Sequence, residues 1–231
     1  MGNAWGEFNV EEYARLEPDL LISDMRFPPD LWYLPEDSAE AILGLAPSVA
    51  VRSGGVPLRT TLERYAELAG ALGADLDAPR VTDAIAAFDA GAESLRRAAR
   101  DNPGIRVLAL SATDDKVWFA VPADLPDLAH FAELGAEFVT PDSPDPGGVF
   151  QSTSWENADT FAADLLLVDN RTGNLQPDRL AGTKPTWRAL PAVRAGQVVS
   201  WTPEPTSSYA HVAPILQGLA EAIGSATRTS A

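Results

Sequence analysis

The chain has 231 residues, 45% of them hydrophobic, enough to bury one large core or two modest ones. Its 33 acidic residues outnumber 17 basic ones for a formal charge of -16, which argues against sequence-independent binding to nucleic acid or to an anionic membrane surface. It contains no cysteine, so disulfides and thiolate metal sites are excluded, and no apolar run approaches the ~20 residues of a membrane-spanning helix.

The opening stretch NVEEYARLEPDLLISD, residues 9–24, combines a helix start, a helix stop and a strand. Asn9 is a good N-cap, Glu11 and Glu12 oppose the positive end of the helix dipole, and Pro18 ends the helix. Leu20, Leu21 and Ile22 form an apolar run without polar alternation, the pattern of a strand covered on both faces. A Pro-rich connection, RFPPDLWYLPED, leads to a helix over 38–45 and a strand over 48–52, followed by a Gly-Gly turn. Residues 58–72 read as a helix with Leu62, Tyr65, Leu68, Ala69 and Leu72 on one face and Gly73 at its end.

The next helix has the strongest periodicity in the chain. Pro79 suits its first turn, and Val81, Ile85, Phe88, Ala92, Leu95 and Ala99 recur at steps of three and four up to Arg100, before Asn102, Pro103 and Gly104 stop it. Roughly 22 residues at 1.5 Å rise give about 33 Å, long enough to join two lobes. Beyond it the spacing predicts strands over 106–110, 117–121, 137–140, 165–169 and 197–201, helices over 125–134, 155–161 and 209–223, and a hairpin turn at Asp114 and Asp115. These alternating periods imply a mostly parallel sheet with covering helices, and only the tail SATRTSA reads as unstructured.

The common catalytic signatures are missing: no GxSxG elbow, no phosphate loop and no GxGxxG after a strand. His130 and His211, the only histidines, lack a second histidine at metal spacing and read as surface or satisfied core residues, so no metal site is expected. More informative are Trp5, Phe27, Trp32, Tyr33, Phe150, Trp155, Trp201 and Tyr209, which fall near element ends together with Arg26, Arg52 and Arg171. Individually such residues pack cores and loop bases; collectively, large rings with a few charged donors suit a cleft for a bulky ligand.

The segments that carry this reading also resemble a known family in order along the chain. NVEEYARLEPDLLISD, AEAILGLAPSVAV, RTTLERYAELAGALGAD, the long helix and above all ADLLLVDNRTGNLQPDRLAGTKPTWRALPAVRAGQVVSW are similar to the substrate-binding proteins of ABC importers for iron siderophores, haem and vitamin B12, the ferric hydroxamate branch in particular. The resemblance implies an α/β fold of two Rossmann-like lobes joined by one long helix, the class III periplasmic-binding-protein fold. The expected divisions are a partial N-terminal lobe over 1–76, the connecting helix over 77–102 and a C-terminal lobe over 103–231. The family carries an export signal and initial strands ahead of the segment that opens this sequence, so the N-terminal lobe is expected to be incomplete.

By the same resemblance, the protein captures a ferric siderophore without chemistry and hands it to a membrane permease, acting as an extracytoplasmic monomer with no intrinsic cofactor and no catalytic residue. Position assigns Trp5, Arg26, Phe27, Arg52, Phe150, Trp155 and Tyr209 to the ligand, and Glu40 and Glu156 to permease docking. The competing expectation is an enzyme or intracellular factor that reuses the fold.

Overall fold

Helix and strand alternate through the structure, a computed structural model that describes residues 8–32, 34–203 and 205–229. The chain divides into two compact units, Met1–Tyr65 and Ala66–Ala231. In the first, helix α1 (Val10–Arg15) starts where the side chain of Asn9 accepts the backbone N–H of Glu12 at 2.9 Å. It ends before Glu17, which turns into the left-handed region at φ 46° ahead of Pro18. Strand β1 (Leu21–Met25) pairs in parallel with β2 (Ser48–Arg52), Leu21 opposite Ser48 and Met25 opposite Arg52, with α2 (Ala39–Leu43) between them in sequence. The core of this unit is Tyr13, Ile42, Ala46, Val51, Leu58 and Leu62, each large apolar side chain contributing about 1.5–3 kcal/mol.

The apolar run at residues 20–22 does not behave as a doubly covered strand. No residue of β1 is fully buried and Ile22 is 45% exposed. Among the described residues, β1 has β2 as its one strand neighbour.

Helix α3 (Leu58–Ala71) crosses the boundary between the units and closes with Gly73 at φ 96°, where Ala74 N–H reaches Ala69 O at 2.9 Å. Helix α4 (Pro79–Asp101) follows, unbroken through Phe88. The second unit then adds β3 (Arg106–Ala112), β4 (Lys116–Ala120), α5 (Pro126–Glu133), β5 (Glu137–Phe138), β6 (Phe150–Ser154) and β7 (Leu165–Asp169). Three short helices come next, α6 (Pro177–Thr183), α7 (Pro185–Ala189) and α8 (Pro191–Arg194), before β8 (Val198–Trp201) and α9 (Tyr209–Ser225).

Strand order is β6-β4-β3-β7-β8, with β5 pairing the start of β3. β3, β5, β7 and β8 are parallel, while β4 runs antiparallel to β3 across the hairpin at Asp114 and Asp115 and antiparallel to β6 on its other side. β7 lies between β3 and β8, and all five of its residues are buried. On one sheet face Leu108, Leu110, Phe119, Leu166 and Val168 pack with Leu180 and Trp187.

Helices α4 and α9 run side by side in the same direction. Phe88 meets Tyr209 edge to face at 5.3 Å, Gly91 lies against Ala213 and Leu216, and Asn102 donates to Ile223 O and Ala226 O, both at 2.8 Å. The long helix packs within the second compact unit, which begins at Ala66.

Three further segments differ from the sequence reading. The expected helix at 155–161 is a single 3-10 turn, Trp155–Asn157. Strand β6 and helices α6 to α8 appear where no element was expected: FQSTS is polar, and the three helices are short and each begins with proline. Finally, residues 226–229 of the tail lack regular structure but are pinned: Thr227 N–H donates to Gln197 Oε1 at 2.7 Å, Arg228 Nη2 to Pro103 O at 2.9 Å and Thr229 N–H to Asp164 Oδ1 at 2.7 Å.

Candidate ligand-binding site

The C-terminal end of β1 carries an arginine enclosed by aromatic rings. Arg26 is 7% exposed, its guanidinium carbon 5.8 Å from the ring centroid of Phe27 and 5.2 Å from that of Trp32. Phe27 and Trp32 meet at 5.7 Å and 64°, close to edge-on, and Phe27 is 50% exposed. A guanidinium over two ring faces is attracted by their quadrupoles, and the attraction grows as water is removed. The rings thereby orient a cation, while Phe27 stays half exposed.

Backbone geometry holds this loop in place. Trp32 N–H donates to Asp24 O at 2.8 Å, and Ser23 Oγ donates to Trp32 O at 3.1 Å, so the loop folds back on the strand that launches it. From the other side, Ser53 N–H donates to Met25 O at 3.1 Å. Gly54 comes so close that a Cβ there would sit 1.8 Å from Arg26 O, which makes glycine a steric requirement. Tyr65 Oη donates to Asp24 Oδ1 at 2.5 Å. Burial, and then the hydrogen bond and charge of Asp24, push its phenol well above the usual tyrosine range. Arg52, opposite Met25, is exposed and donates from Nε to Gly54 O at 3.2 Å.

Of the residues the sequence assigned to a ligand, Arg26 and Phe27 are brought together and Arg52 is tied to the neighbouring turn. Trp5 lies outside the described residues. Trp32, noted as a loop aromatic but left out of the ligand set, completes the cluster; the signal available was its place six residues after Arg26 in the Pro-rich RFPPDLW.

In the second unit, Phe150 and Trp155 flank β6 at opposite ends. Phe150 is partly buried, as is Tyr209 against Phe88. Trp155 is a different case. It is 7% exposed within the apolar core, its indole N–H donates to Thr113 O at 2.9 Å, and Lys184 Nζ sits 5.5 Å over its ring. Its donor is satisfied inside the protein and its ring packs in the core beside the Lys184 ammonium.

Arg171 is likewise engaged: its guanidinium grips the fully buried Asp169 (Nη2 to Oδ2, 2.7 Å), which also accepts from Ser111 Oγ at 2.7 Å. His130 is 7% exposed and stacked on Phe88 at 5.7 Å and 12°, a core histidine as the sequence suggested. Among the described residues no group of three or more His, Cys, Asp or Glu side chains is arranged to hold a metal ion.

Glu40 and Glu156 are both exposed. Glu40 sits in the first turn of α2 and Glu156 in the 3-10 turn after β6. A hydrogen bond from Ser154 is the main reason the Glu156 carboxyl lies below its ordinary range, with backbone hydrogen bonding and the charge of Lys184 adding to it. Among the described residues, no helix is long and apolar enough to cross a membrane.

Comparison with known proteins bears on both fold and site. None of the curated proteins compared with the chain matches it. Among solved structures it is similar to DesE, a ferric-siderophore receptor protein from Streptomyces coelicolor, at 45% identity and a TM-score of 0.93, with 99% of this chain and 78% of that one covered. The siderophore periplasmic binding protein from the fuscachelin gene cluster of Thermobifida fusca shares the fold at 21% identity and a TM-score of 0.65, over 94% and 78% of the two chains. FhuD2 from Staphylococcus aureus, solved with bound ferrioxamine B, does so at 16% identity and a TM-score of 0.58, over 93% and 79%. The family model for periplasmic binding proteins matches residues 2–205, and the chain belongs to that family, with its class III fold.

Proposed function

We propose that this protein is the substrate-binding component of an ABC importer and captures a ferric siderophore. The observation that carries the reading is the Arg26, Phe27 and Trp32 cluster at the end of β1, in a chain 45% identical to a ferric-siderophore receptor. Aromatic faces cover the apolar segments of such a ligand, and a fixed guanidinium donates to the oxygens that surround the iron. Phe150 and Tyr209 are the second unit's candidates for ligand contact. The function is binding and delivery rather than catalysis, with Glu40 and Glu156 as the carboxylates that meet basic residues of a membrane permease, outside the cytoplasmic membrane, the protein acting as a monomer.

Charge favours a hydroxamate over a catecholate ligand. A ferric tris-hydroxamate core is neutral, since three singly charged groups balance Fe(III), whereas a tris-catecholate core carries three negative charges. The latter would approach a chain of formal charge -16 against the field.

The test is a titration of tryptophan fluorescence with ferric tris-hydroxamates, ferric tris-catecholates, haem and cobalamin, each beside its iron-free or metal-free form. Saturable quenching by ferric hydroxamates, weakened at least tenfold in Trp32→Ala, is expected. Binding of haem or cobalamin in preference to every ferric siderophore would overturn the assignment.

A further inference from the structure

In the second unit, α7, α8 and the segment that enters β7 leave a gap over the sheet. The gap is a pocket of about 340 Å³ floored by Leu108, Leu110 and Leu166, each no more than 2% exposed. Five alanines form much of its wall, and such short side chains do not fill the space above the leucines. The volume equals the share of roughly eleven waters at about 30 Å³ each, but a water inside a protein needs two to four polar partners. The lining supplies two polar side chains, the exposed Asp159 and Thr186. Thr186 Oγ1 is buried and, among the described residues, has no hydrogen-bond partner. A hydrocarbon surface with one unsatisfied hydroxyl suits an apolar guest with one polar atom better than it suits solvent.

We propose that this pocket is a second binding site, for a neutral molecule with a medium-length hydrocarbon body and a single hydroxyl group. Its wall at Ala163 stands ahead of the first residue of β7, Leu165, whereas Asp169 and Arg171 mark the carboxyl end of that strand. The site is therefore distinct from the crevice at the carboxyl ends of strands, where open α/β sheets take their ligands. An eight-carbon chain with a terminal hydroxyl has nine non-hydrogen atoms and fills on the order of 270 Å³ at about 30 Å³ each. Its methylenes cover the leucine floor. Rotation about χ1 of Thr186 exchanges the buried oxygen with the methyl group and brings it to the guest's hydroxyl, which gives a buried polar atom the partner it lacks. A carboxylate in the same position fits poorly, because no Lys, Arg or His lines the pocket and Asp159 repels it.

Leucine methyl NMR spectra of the full chain, titrated with 1-octanol and in parallel with octanoate, read the site directly. Saturable shifts are expected at Leu108, Leu110, Leu166 and Leu190, half-complete below about 1 mM, with octanoate at least tenfold weaker. Thr186→Val keeps the shape and removes the hydroxyl, and should weaken octanol about fivefold, the worth of one hydrogen bond. Ala162→Trp, at an exposed position of the wall, should fill the pocket and abolish the shifts.

The absence of saturation by about 1 mM, or shifts confined to Leu31, Leu34 and Leu43 of the first unit, overturns the proposal. So does octanoate binding as tightly as octanol, or wild-type affinity for octanol in Thr186→Val. None of these readouts involves a ferric ligand, so the outcome stands apart from that of the siderophore titration.

Discussion

Replacing Gly54 with alanine tests how the ligand cluster is held. The added Cβ would lie 1.8 Å from Arg26 O and 2.7 Å from Arg26 C, both backbone atoms that no side-chain rotation can move away. Restoring an ordinary carbon-oxygen contact, roughly 3.2 Å, requires the Gly54 turn and the end of β1 to part by more than 1 Å. That motion breaks the Ser53 N–H bond to Met25 O, 3.1 Å in the intact protein. Overpacking of this kind costs about 1–3 kcal/mol, and the lost hydrogen bond about 1 kcal/mol more. Native-state amide exchange of Ile22 to Met25 should accelerate by about 30- to 700-fold for a loss of 2–4 kcal/mol. Affinity for the ferric ligand should fall too, because Arg26 moves with its own carbonyl. Exchange rates in Gly54→Ala within threefold of wild type would refute the reasoning, since they would mean that the contact relaxes at no cost.

In the second unit, Gly91→Ala gains about 1 kcal/mol of helix propensity but places a Cβ 3.0 Å from Leu216 Cβ and 3.1 Å from Ala213 O, so a net loss of about 1 kcal/mol and a fall of roughly 2–4 °C in melting temperature are expected. Asp164 is 1% exposed and accepts from Arg106 N–H at 2.9 Å and Thr229 N–H at 2.7 Å; Asp164→Ala should cost about 3 kcal/mol and free the tail for carboxypeptidase digestion. For Tyr65, whose folded pKa lies above its unfolded value near ~10, the stabilisation is complete below that pH and is lost as the pH rises, because the unfolded chain then releases a proton that the folded one retains. Exchange protection of β1 should therefore decline above pH ~10 in the wild type and show a smaller decline in Tyr65→Phe.

The elements set by local rules were legible in the sequence. Asn9 caps α1, Pro79 opens α4 and Gly73 closes α3, each through backbone chemistry that needs no distant partner. Polar or proline-led segments were not. FQSTS forms β6 because β4 offers a free edge, with Phe119 opposite Gln151 and Trp118 opposite Ser152, and that pairing is a property of the sheet rather than of the five residues. The tail is held by Gln197, Pro103 and Asp164, all distant in sequence, so its composition could not reveal the attachment.

The same limit governs the site. LLI at residues 20–22 and LLLV at 165–168 carry the same apolar signal, yet β1 has no fully buried residue whereas β7 is buried throughout. Among the described residues β1 has one neighbouring strand and β7 two, which a short window does not encode. Trp32 and Trp155 repeat the point with side chains. Each is a tryptophan near the end of an element. Trp155, however, faces a core that includes Trp187 and finds Thr113 O for its N–H, while Trp32 stands on a short loop beside Arg26, with an exposed phenylalanine next to it. What separates a ring that packs from a ring that binds is whether the fold supplies a partner for its faces and its donor. Loop aromatics are therefore best ranked by the polar group beside them in sequence: Arg26 and Phe27 stand directly before the Pro-rich turn that delivers Trp32, and no such cation adjoins Trp155.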